Sequence, residues 1–289
     1  MNIFITEPEI YESINFDLYP AIKNVYVDDQ NTPYSDIMAI FVGLKYVIND
    51  AFLNRFDNLR YIISSTTGVD HIKTSRGVRV INLDPQEILE VSATAEFSLA
   101  LLLSLVRKIP FIDQEKTTDR EIYRGIQLKG KKMGIFGFGR LGQKMASYAD
   151  ALEINWTSFD KGDSLELKNR LLNSCDIISI HLPLLDSTKD FFSFDEFRKM
   201  HKKPYIINTA RPQLINKAAL IEAVKSDVIS GLAMDFISYE ADNEWDRELQ
   251  KYSGDKLLLT PHIAGNTHDS IKYTSKVVVE KFITVVQSS

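Results

Sequence analysis

Residues 132–142 read KMGIFGFGRLG, an apolar strand-like segment that runs directly into three glycines spaced as GxGxxG. Helical spacing follows over residues 144–152, and another apolar segment, 154–159, ends in Asp160. Asp160 comes 18 residues after Gly142, close to the roughly 20 residues expected between a phosphate-binding glycine loop and the acid that binds a ribose. This stretch predicts a strand–loop–helix–strand unit of a parallel α/β sheet.

Each glycine has a separate task in such a loop. Gly137 permits the tight turn, Gly139 lets the backbone approach a pyrophosphate, and Gly142 lets the helix pack closely on the strand. Free N–H groups at the helix N-terminus bind the anion, and Arg140 adds a charge-assisted contact. Asp160 would accept hydrogen bonds from the ribose and repel a 2′-phosphate, which predicts NAD(H) in preference to NADP(H).

Composition and charge limit the function classes. The 289 residues carry 34 Lys+Arg against 39 Asp+Glu, net −5, which is not the basic footprint of a nucleic-acid binder. The single cysteine, Cys175, excludes an intrachain disulfide framework. The N-terminal segment lacks the pattern of a secretory signal, and the longest apolar run, 97–106, is half a membrane span. We therefore expect a cytoplasmic protein that binds neither nucleic acid nor membrane.

Strands and helices alternate on both sides of the glycine motif, which predicts an α/β protein with parallel sheets. A mostly apolar helix starts after Ser92, is kinked or ended by Pro110, and can connect two lobes. A closing helix over about 267–286 should return to the first lobe. The predicted domains are therefore 1–90 plus 266–289, and 91–265.

Charged residues follow three strands of the second series. Arg211 follows the strand at 205–208, Asp235 ends the strand at 230–234, and His262 follows the strand at 256–259. The carboxyl ends of parallel strands meet at one edge of a sheet, so the three side chains can converge on a small anion. A histidine there can exchange a proton near neutral pH.

Six ordered segments resemble the D-isomer-specific 2-hydroxyacid dehydrogenase family, which includes glycerate, hydroxypyruvate and glyoxylate reductases. The resemblance extends from about Leu59 to Thr274. It implies two Rossmann-like parallel-sheet domains, one flavodoxin-like and one dinucleotide-binding, with a cleft between them. The segments are STTGVDHI at 65–72, the glycine motif with its acid at 137–160, 179–188, NTAR at 208–211, 231–240 and TPHIAG at 260–265.

The resemblance also implies roles for individual residues in hydride transfer between NAD(H) and a small 2-oxo or (R)-2-hydroxy acid. His262 becomes the general acid, Glu240 its carboxylate partner, and Arg211 the residue that holds the substrate carboxylate. Backbone N–H groups of Thr66, Thr67 and Gly68 complete the carboxylate site. Cofactor contacts are implied for Gly137, Gly139, Arg140, Leu141, Gly142, Asp160, His181, Pro183, Thr188, Thr209, Ala210 and Asp235. We expect a homodimer formed through the NAD-binding domain, and no metal site.

One departure and two alternatives accompany this hypothesis. Pro212 stands where the family usually has glycine, and a proline favours an extended backbone at the preceding Arg211. A dinucleotide-sensing binding protein of the same fold, without physiological turnover, is the first alternative. The second is another hydride-transfer enzyme on this scaffold, such as a formate or phosphite oxidase. Glyoxylate and hydroxypyruvate (the oxo form of glycerate) are the first predicted substrates.

Overall fold

The structure is a computed structural model that describes residues 1–27, 32–112, 118–236, 249 and 256–288. Internal contacts divide the chain into two compact units. Unit 1 comprises Met1–Val91 and Asn266–Ser289, and unit 2 comprises Ser92–Gly265. The first boundary therefore falls after Val91, one residue later than the predicted division.

The secondary structure alternates between strands and helices along most of the chain. The strands are β1 (Asn2–Ile5), β2 (Asn24–Tyr26), β3 (Ile37–Val42), β4 (Ile48–Asn49), β5 (Tyr61–Ser64), β6 (Ile72–Lys73), β7 (Arg79–Ile81), β8 (Lys132–Phe136), β9 (Asn155–Phe159), β10 (Ile177–Ile180), β11 (Tyr205–Asn208), β12 (Gly231–Asp235) and β13 (Leu257–Thr260). The α-helices are α1 (Pro8–Tyr11), α2 (Asp50–Leu53), α3 (Ala93–Val106), α4 (Arg140–Ala151), α5 (Leu165–Ser174), α6 (Phe194–Arg198), α7 (Lys217–Lys225) and α8 (His268–Gln287).

Unit 1 is built on a five-stranded parallel sheet with the order β2-β1-β3-β5-β7. Most side chains of its inner strands are apolar, and consecutive side chains point to opposite faces of the sheet. Both faces of the sheet are therefore apolar. Ile3 packs on one face with Phe282 of α8, whereas the adjacent Phe4 packs on the other face with Phe56. The closing helix therefore belongs to the core of unit 1.

Unit 2 is built on a six-stranded parallel sheet with the order β13-β12-β11-β10-β8-β9. Helices α3 and α4 cover one face through Leu102 and Met145, and α5 and α7 cover the other through Leu172 and Leu220. The chain goes from β8 outward to β9 and then crosses to β10 on the other side of β8. This reversal is the topological switch point at which open α/β sheets bind ligands.

The predicted α/β class with parallel sheets is confirmed, and three local features differ from what hydrophobic periodicity indicates. The edge strand β2 was not predicted, because it is short and largely exposed. Ile48, Phe52 and Phe56 stand at helical spacing, but this segment forms only β4 and the four-residue α2. Helix α3 ends at Val106, before Pro110, and Lys108 then adopts a left-handed φ of 55°. Within the described residues, no helix is long and apolar enough to cross a membrane.

Candidate active site

The predicted site residues of unit 2 lie at one edge of its sheet. The strands end in register, with Phe136 beside Ile180, Asn208 beside Met234, and Asp235 beside Thr260. The loops that follow therefore leave the sheet at the same edge. They carry Gly137 after β8, Asp160 after β9, His181 after β10, Thr209 to Arg211 after β11, and His262 after β13.

The glycine loop comprises Gly137–Gly142. The packing of the protein itself requires a glycine at two of its positions. Gly137 has a φ of +95°, and a Cβ there would lie 2.5 Å from the carbonyl carbon of His181. A Cβ on Gly142 would lie 2.1 Å from the carbonyl oxygen of Gly137. Any side chain at either position would collide with backbone, which cannot move without rebuilding the loop.

The third glycine, Gly139, is different. A Cβ built there would meet no described atom within 4 Å, so protein packing does not demand a glycine. Gly139 is the N-cap of the 12-residue α4, and its cap has no side-chain hydrogen bond. Backbone N–H groups of that first turn, which includes Arg140 and Leu141, are placed to receive an anion. The glycine loop therefore fits the pyrophosphate of a dinucleotide.

The Asp160 side chain is hydrogen-bonded to the glycine loop. One carboxylate oxygen accepts the N–H of Phe138 at 2.7 Å, and the other accepts the N–H of Lys161 at 2.7 Å. The acid at the end of β9 therefore stands at a fixed position beside the loop. Besides its predicted contact with a ribose, Asp160 holds the residue between the first two glycines.

The loop after β10 packs against the glycine loop through His181. The Nε2 atom of His181 lies 2.8 Å from the Ser179 hydroxyl, and its buried Nδ1 has no hydrogen-bond partner in the described residues. Burial lowers the pKa of His181 to about 4, so its ring is neutral at pH 7. Further along, the Thr188 hydroxyl donates to the carbonyl of Pro183 at 2.6 Å and closes the turn.

The Arg211 turn, Asn208–Arg211, is shaped by the buried Asn208. The amide oxygen of Asn208 accepts the N–H of Ala210 at 3.0 Å, and its NH₂ group donates to the Arg211 carbonyl at 2.9 Å. Arg211 has φ −141° and ψ 140°, the extended backbone that Pro212 favours. One guanidinium nitrogen of Arg211 donates to the carbonyl of Ala210 at 2.9 Å.

Ser98 of α3 supports the same turn and was missed by the sequence reasoning. Its hydroxyl donates to the carbonyl of Thr94 at 2.8 Å and lies 2.7 Å from the hydroxyl of Thr209. Because the Ser98 hydroxyl proton is donated to the Thr94 carbonyl, the Thr209 hydroxyl is the donor to the Ser98 oxygen. Both side chains are buried. A serine within a mostly apolar helix was the available signal, because a buried hydroxyl requires a partner.

Asp235 lies at the end of β12 and is 3% exposed. One carboxylate oxygen accepts the Thr260 hydroxyl at 2.6 Å and the N–H of Ile263 at 3.0 Å, and the other accepts the N–H of Ala264 at 2.6 Å. These partners belong to the His262 loop, Thr260–Gly265. His262 itself is exposed and has a left-handed φ of +57°.

In unit 1, the Thr66 loop, Ser65–Gly68, follows β5. The Thr66 hydroxyl donates to the carbonyl of Gly68 at 2.6 Å, and the Thr67 carbonyl accepts from the Asn82 side chain at 2.9 Å. No described hydrogen bond uses the N–H groups of Thr66, Thr67 or Gly68. The described hydrogen bonds of the loop therefore use its hydroxyl and carbonyl oxygens.

A family model describes the greater part of unit 2. Residues 99–264, more than half of the chain, match the model for "D-isomer specific 2-hydroxyacid dehydrogenase, NAD binding domain". The chain belongs to this dehydrogenase family. The match includes the glycine loop, Asp160, the Arg211 turn and His262.

Individual dehydrogenases are also similar to this chain in sequence or in structure. A D-3-phosphoglycerate dehydrogenase of Archaeoglobus fulgidus is 30% identical over 266 residues, which cover 86% of this chain and 49% of the relative. A glyoxylate reductase of Thermofilum pendens is 29% identical over 271 residues, covering 86% and 78%. The chain therefore spans about half the length of the first relative. The apo-structure of D-lactate dehydrogenase from Escherichia coli has a TM-score of 0.80 at 21% identity, covering 100% of this chain and 98% of that one, which shows a shared fold.

One predicted residue of the dehydrogenase site, Glu240, lies outside the described residues. Its pairing with His262 stays a prediction. The structure brings Arg211, Asp235 and His262 to one edge of the unit 2 sheet, and it assigns the side chains of Thr188, Thr209 and Asp235 to hydrogen bonds within the protein.

Proposed function

We propose that this protein is an NAD(H)-dependent oxidoreductase of small 2-oxo and (R)-2-hydroxy acids. The observation that carries the proposal is the placement of Arg211 and His262 on loops that flank β12, at the edge that also bears the glycine loop. Strands β11 and β13 are two positions apart, about 10 Å at the usual strand spacing. From loops on strands so spaced, the Arg211 and His262 side chains can both reach one small oxo acid.

For the cofactor, the open approach to Gly139 and the N-terminus of α4 support binding of a pyrophosphate. Asp160 supports NAD(H) over NADP(H), since its carboxylate would repel a 2′-phosphate. When bound, the cofactor supplies or accepts the hydride. The other cofactor positions inferred from the family, among them Pro183 and Ala210, remain part of the proposal.

For the substrate, the Arg211 guanidinium holds the carboxylate with two parallel N–H groups, which a lysine cannot reproduce. His262 gives its proton to the carbonyl oxygen of the oxo acid, a step worth about 10²–10⁴ in rate. Glu240 is the proposed partner that favours protonated His262. The N–H groups of Thr66, Thr67 and Gly68 are further proposed contacts of the carboxylate.

The deciding experiment follows the absorbance of NADH and NADPH in the presence of glyoxylate, hydroxypyruvate, 3-phosphohydroxypyruvate and pyruvate. We expect NADH oxidation, fastest with glyoxylate or hydroxypyruvate. The phosphorylated acid tests the alternative suggested by the D-3-phosphoglycerate dehydrogenase relatives. Tight NADH binding without turnover of any oxo acid would instead support the dinucleotide-sensing protein.

Cofactor choice is tested by Asp160→Ala. We expect NADH to bind about tenfold more weakly or worse, because a hydrogen bond to a charged group contributes about 1.5–3 kcal/mol. Discrimination against NADPH should decrease. Asp195→Ala, which removes an exposed carboxylate elsewhere in unit 2, is the control. An unchanged Kd for NADH in Asp160→Ala would remove the cofactor assignment.

We also propose a cytoplasmic homodimer formed through unit 2. Exposed apolar side chains of unit 2 support this contact: Leu103, Ile109, Ile112 and Ile122. Light scattering after gel filtration should give twice the chain mass, and Ile109→Asp should shift the protein toward monomer. A monomeric wild type would contradict the proposal, and fractionation of cells expressing the protein tests its location.

A further inference from the structure

We propose that Asp235 is a positioning residue whose carboxylate holds the His262 loop in the backbone conformation needed for proton transfer. This inference rests on the proposed role of His262 as proton donor. It differs from the role that the family resemblance implies for Asp235, a contact with the cofactor. The geometry of the His262 loop carries it.

The Asp235 carboxylate contacts the chain on both sides of His262. It accepts from Thr260, two residues before the histidine, and from Ile263 and Ala264, the next two residues after it. The two oxygens together therefore fix the entry to and the exit from the residue that carries the imidazole. Asp235 can do this because it pairs with Thr260 in the register of β12 and β13.

His262 needs such support. A left-handed backbone costs a residue other than glycine about 1–2 kcal/mol, and His262 adopts a φ of +57°. Its own N–H donates to the nearby Thr260 carbonyl, at 3.0 Å. Hydrogen bonds to a buried carboxylate are short and strong, so the three bonds to Asp235 can offset the strain.

Loss of the carboxylate would release this arrangement. The N–H of Ala264, a buried residue, would lose its partner, and an unpaired buried donor is costly. The loop would relax toward an ordinary φ, and the His262 side chain would move with it. A misplacement of about 1 Å can reduce a reaction rate about 10²-fold.

The Asp235 carboxylate has few acceptor positions left for further hydrogen bonds. A carboxylate offers about four acceptor positions, and three are in use within the protein. At most one remains for a donor from a bound cofactor. We therefore expect the loss of Asp235 to reduce turnover much more than it reduces affinity for NADH.

The test compares Asp235→Asn with Thr260→Val and Thr260→Ser. Asparagine keeps one oxygen but turns an NH₂ group toward an N–H that needs an acceptor. Valine at 260 removes one of the three donors, and serine restores it. Asp176→Asn is the matched control, since Asp176 also accepts a backbone N–H, that of Lys132 at 2.9 Å, at the opposite end of the sheet.

Two readouts are needed: steady-state kinetics with the Kd for NADH, and hydrogen exchange of peptides spanning 257–267 in the protein without cofactor. For Asp235→Asn we expect kcat to fall about 100-fold, the Kd for NADH to stay within threefold, and exchange at Ile263 and Ala264 to accelerate. Thr260→Val should lose about tenfold in kcat, Thr260→Ser should recover it, and Asp176→Asn should keep the wild-type kcat.

Two results would overturn the inference. Unchanged exchange and a kcat within threefold of wild type in Asp235→Asn would show that the carboxylate does not hold the loop. A Kd for NADH raised more than tenfold, with kcat restored at saturating NADH, would make Asp235 a cofactor ligand. Failure of the proposed function is seen separately, as a wild type that turns over no 2-oxo acid, and the exchange experiment then still reports on the loop.

Discussion

The glycine loop and the His262 loop leave the same edge of the unit 2 sheet, yet they are held by different means. Gly137 and Gly142 are held by close approach of backbone to backbone, where no side chain fits. The His262 loop contains a strained residue and is supported by the Asp235 carboxylate of the neighbouring strand.

This difference separates stability from turnover. In the glycine loop, a side chain at Gly137 or Gly142 forces backbone atoms apart and strains the fold of unit 2. In the His262 loop, the side chain that does the proposed chemistry is exposed, so its removal changes few packed contacts. Substitution of Gly137 or Gly142 should therefore act mainly on stability, and substitution in the His262 loop mainly on rate.

The largest expected effect is that of His262→Asn. Asparagine tolerates a left-handed backbone, so the loop keeps its shape while the proton donor is lost. We expect kcat to fall about 10²–10⁴-fold, with the Tm and the Kd for NADH close to wild type. His201→Gln, at another exposed histidine of unit 2, is the control. A kcat within tenfold of wild type would contradict the role of His262 as general acid.

A smaller effect, on stability, is expected from the glycines. Gly142→Ala places a Cβ 2.1 Å from the Gly137 carbonyl oxygen, and overpacking of this kind costs about 3 kcal/mol. Gly139→Ala meets no described atom within 4 Å. It should leave the Tm unchanged and weaken NADH binding. Urea unfolding and NADH titration of both variants check this, and equal losses of stability would show that the glycines do not have separate tasks.

The smallest effect concerns pH. Burial lowers the pKa of His181 to about 4, below its ordinary value near 6.5. The unfolded chain therefore binds the proton more readily between pH 6.5 and 4, and the fold loses stability as the pH falls through this range. His181→Gln should remove about 2 kcal/mol of the loss between pH 7 and 4.5, measured by urea unfolding at both values. An identical loss in the variant would show that His181 is not the group that titrates.

Sequence patterns predicted most strands of unit 2 closely, because buried strands of a parallel sheet are continuous apolar runs. The glycine spacing located the strand–loop–helix unit, and the positions after the strands located Arg211 and His262. The length of α2, the edge strand β2 and the end of α3 depended on tertiary contacts or on one backbone torsion, which hydrophobic periodicity does not report.

By itself, the sequence determined the fold class and the edge of the sheet at which the chemistry should occur, because these depend on apolar periodicity and on glycine spacing along the chain. The order and spacing of six motifs indicated the family through its resemblance. Only the tertiary structure decided which polar groups serve each other. Ser98 and Thr209 are 111 residues apart, and Asp235 and Ala264 are 29 apart. A hydrogen bond depends on distance in space. Such residues come within hydrogen-bonding distance of each other only when the chain has folded.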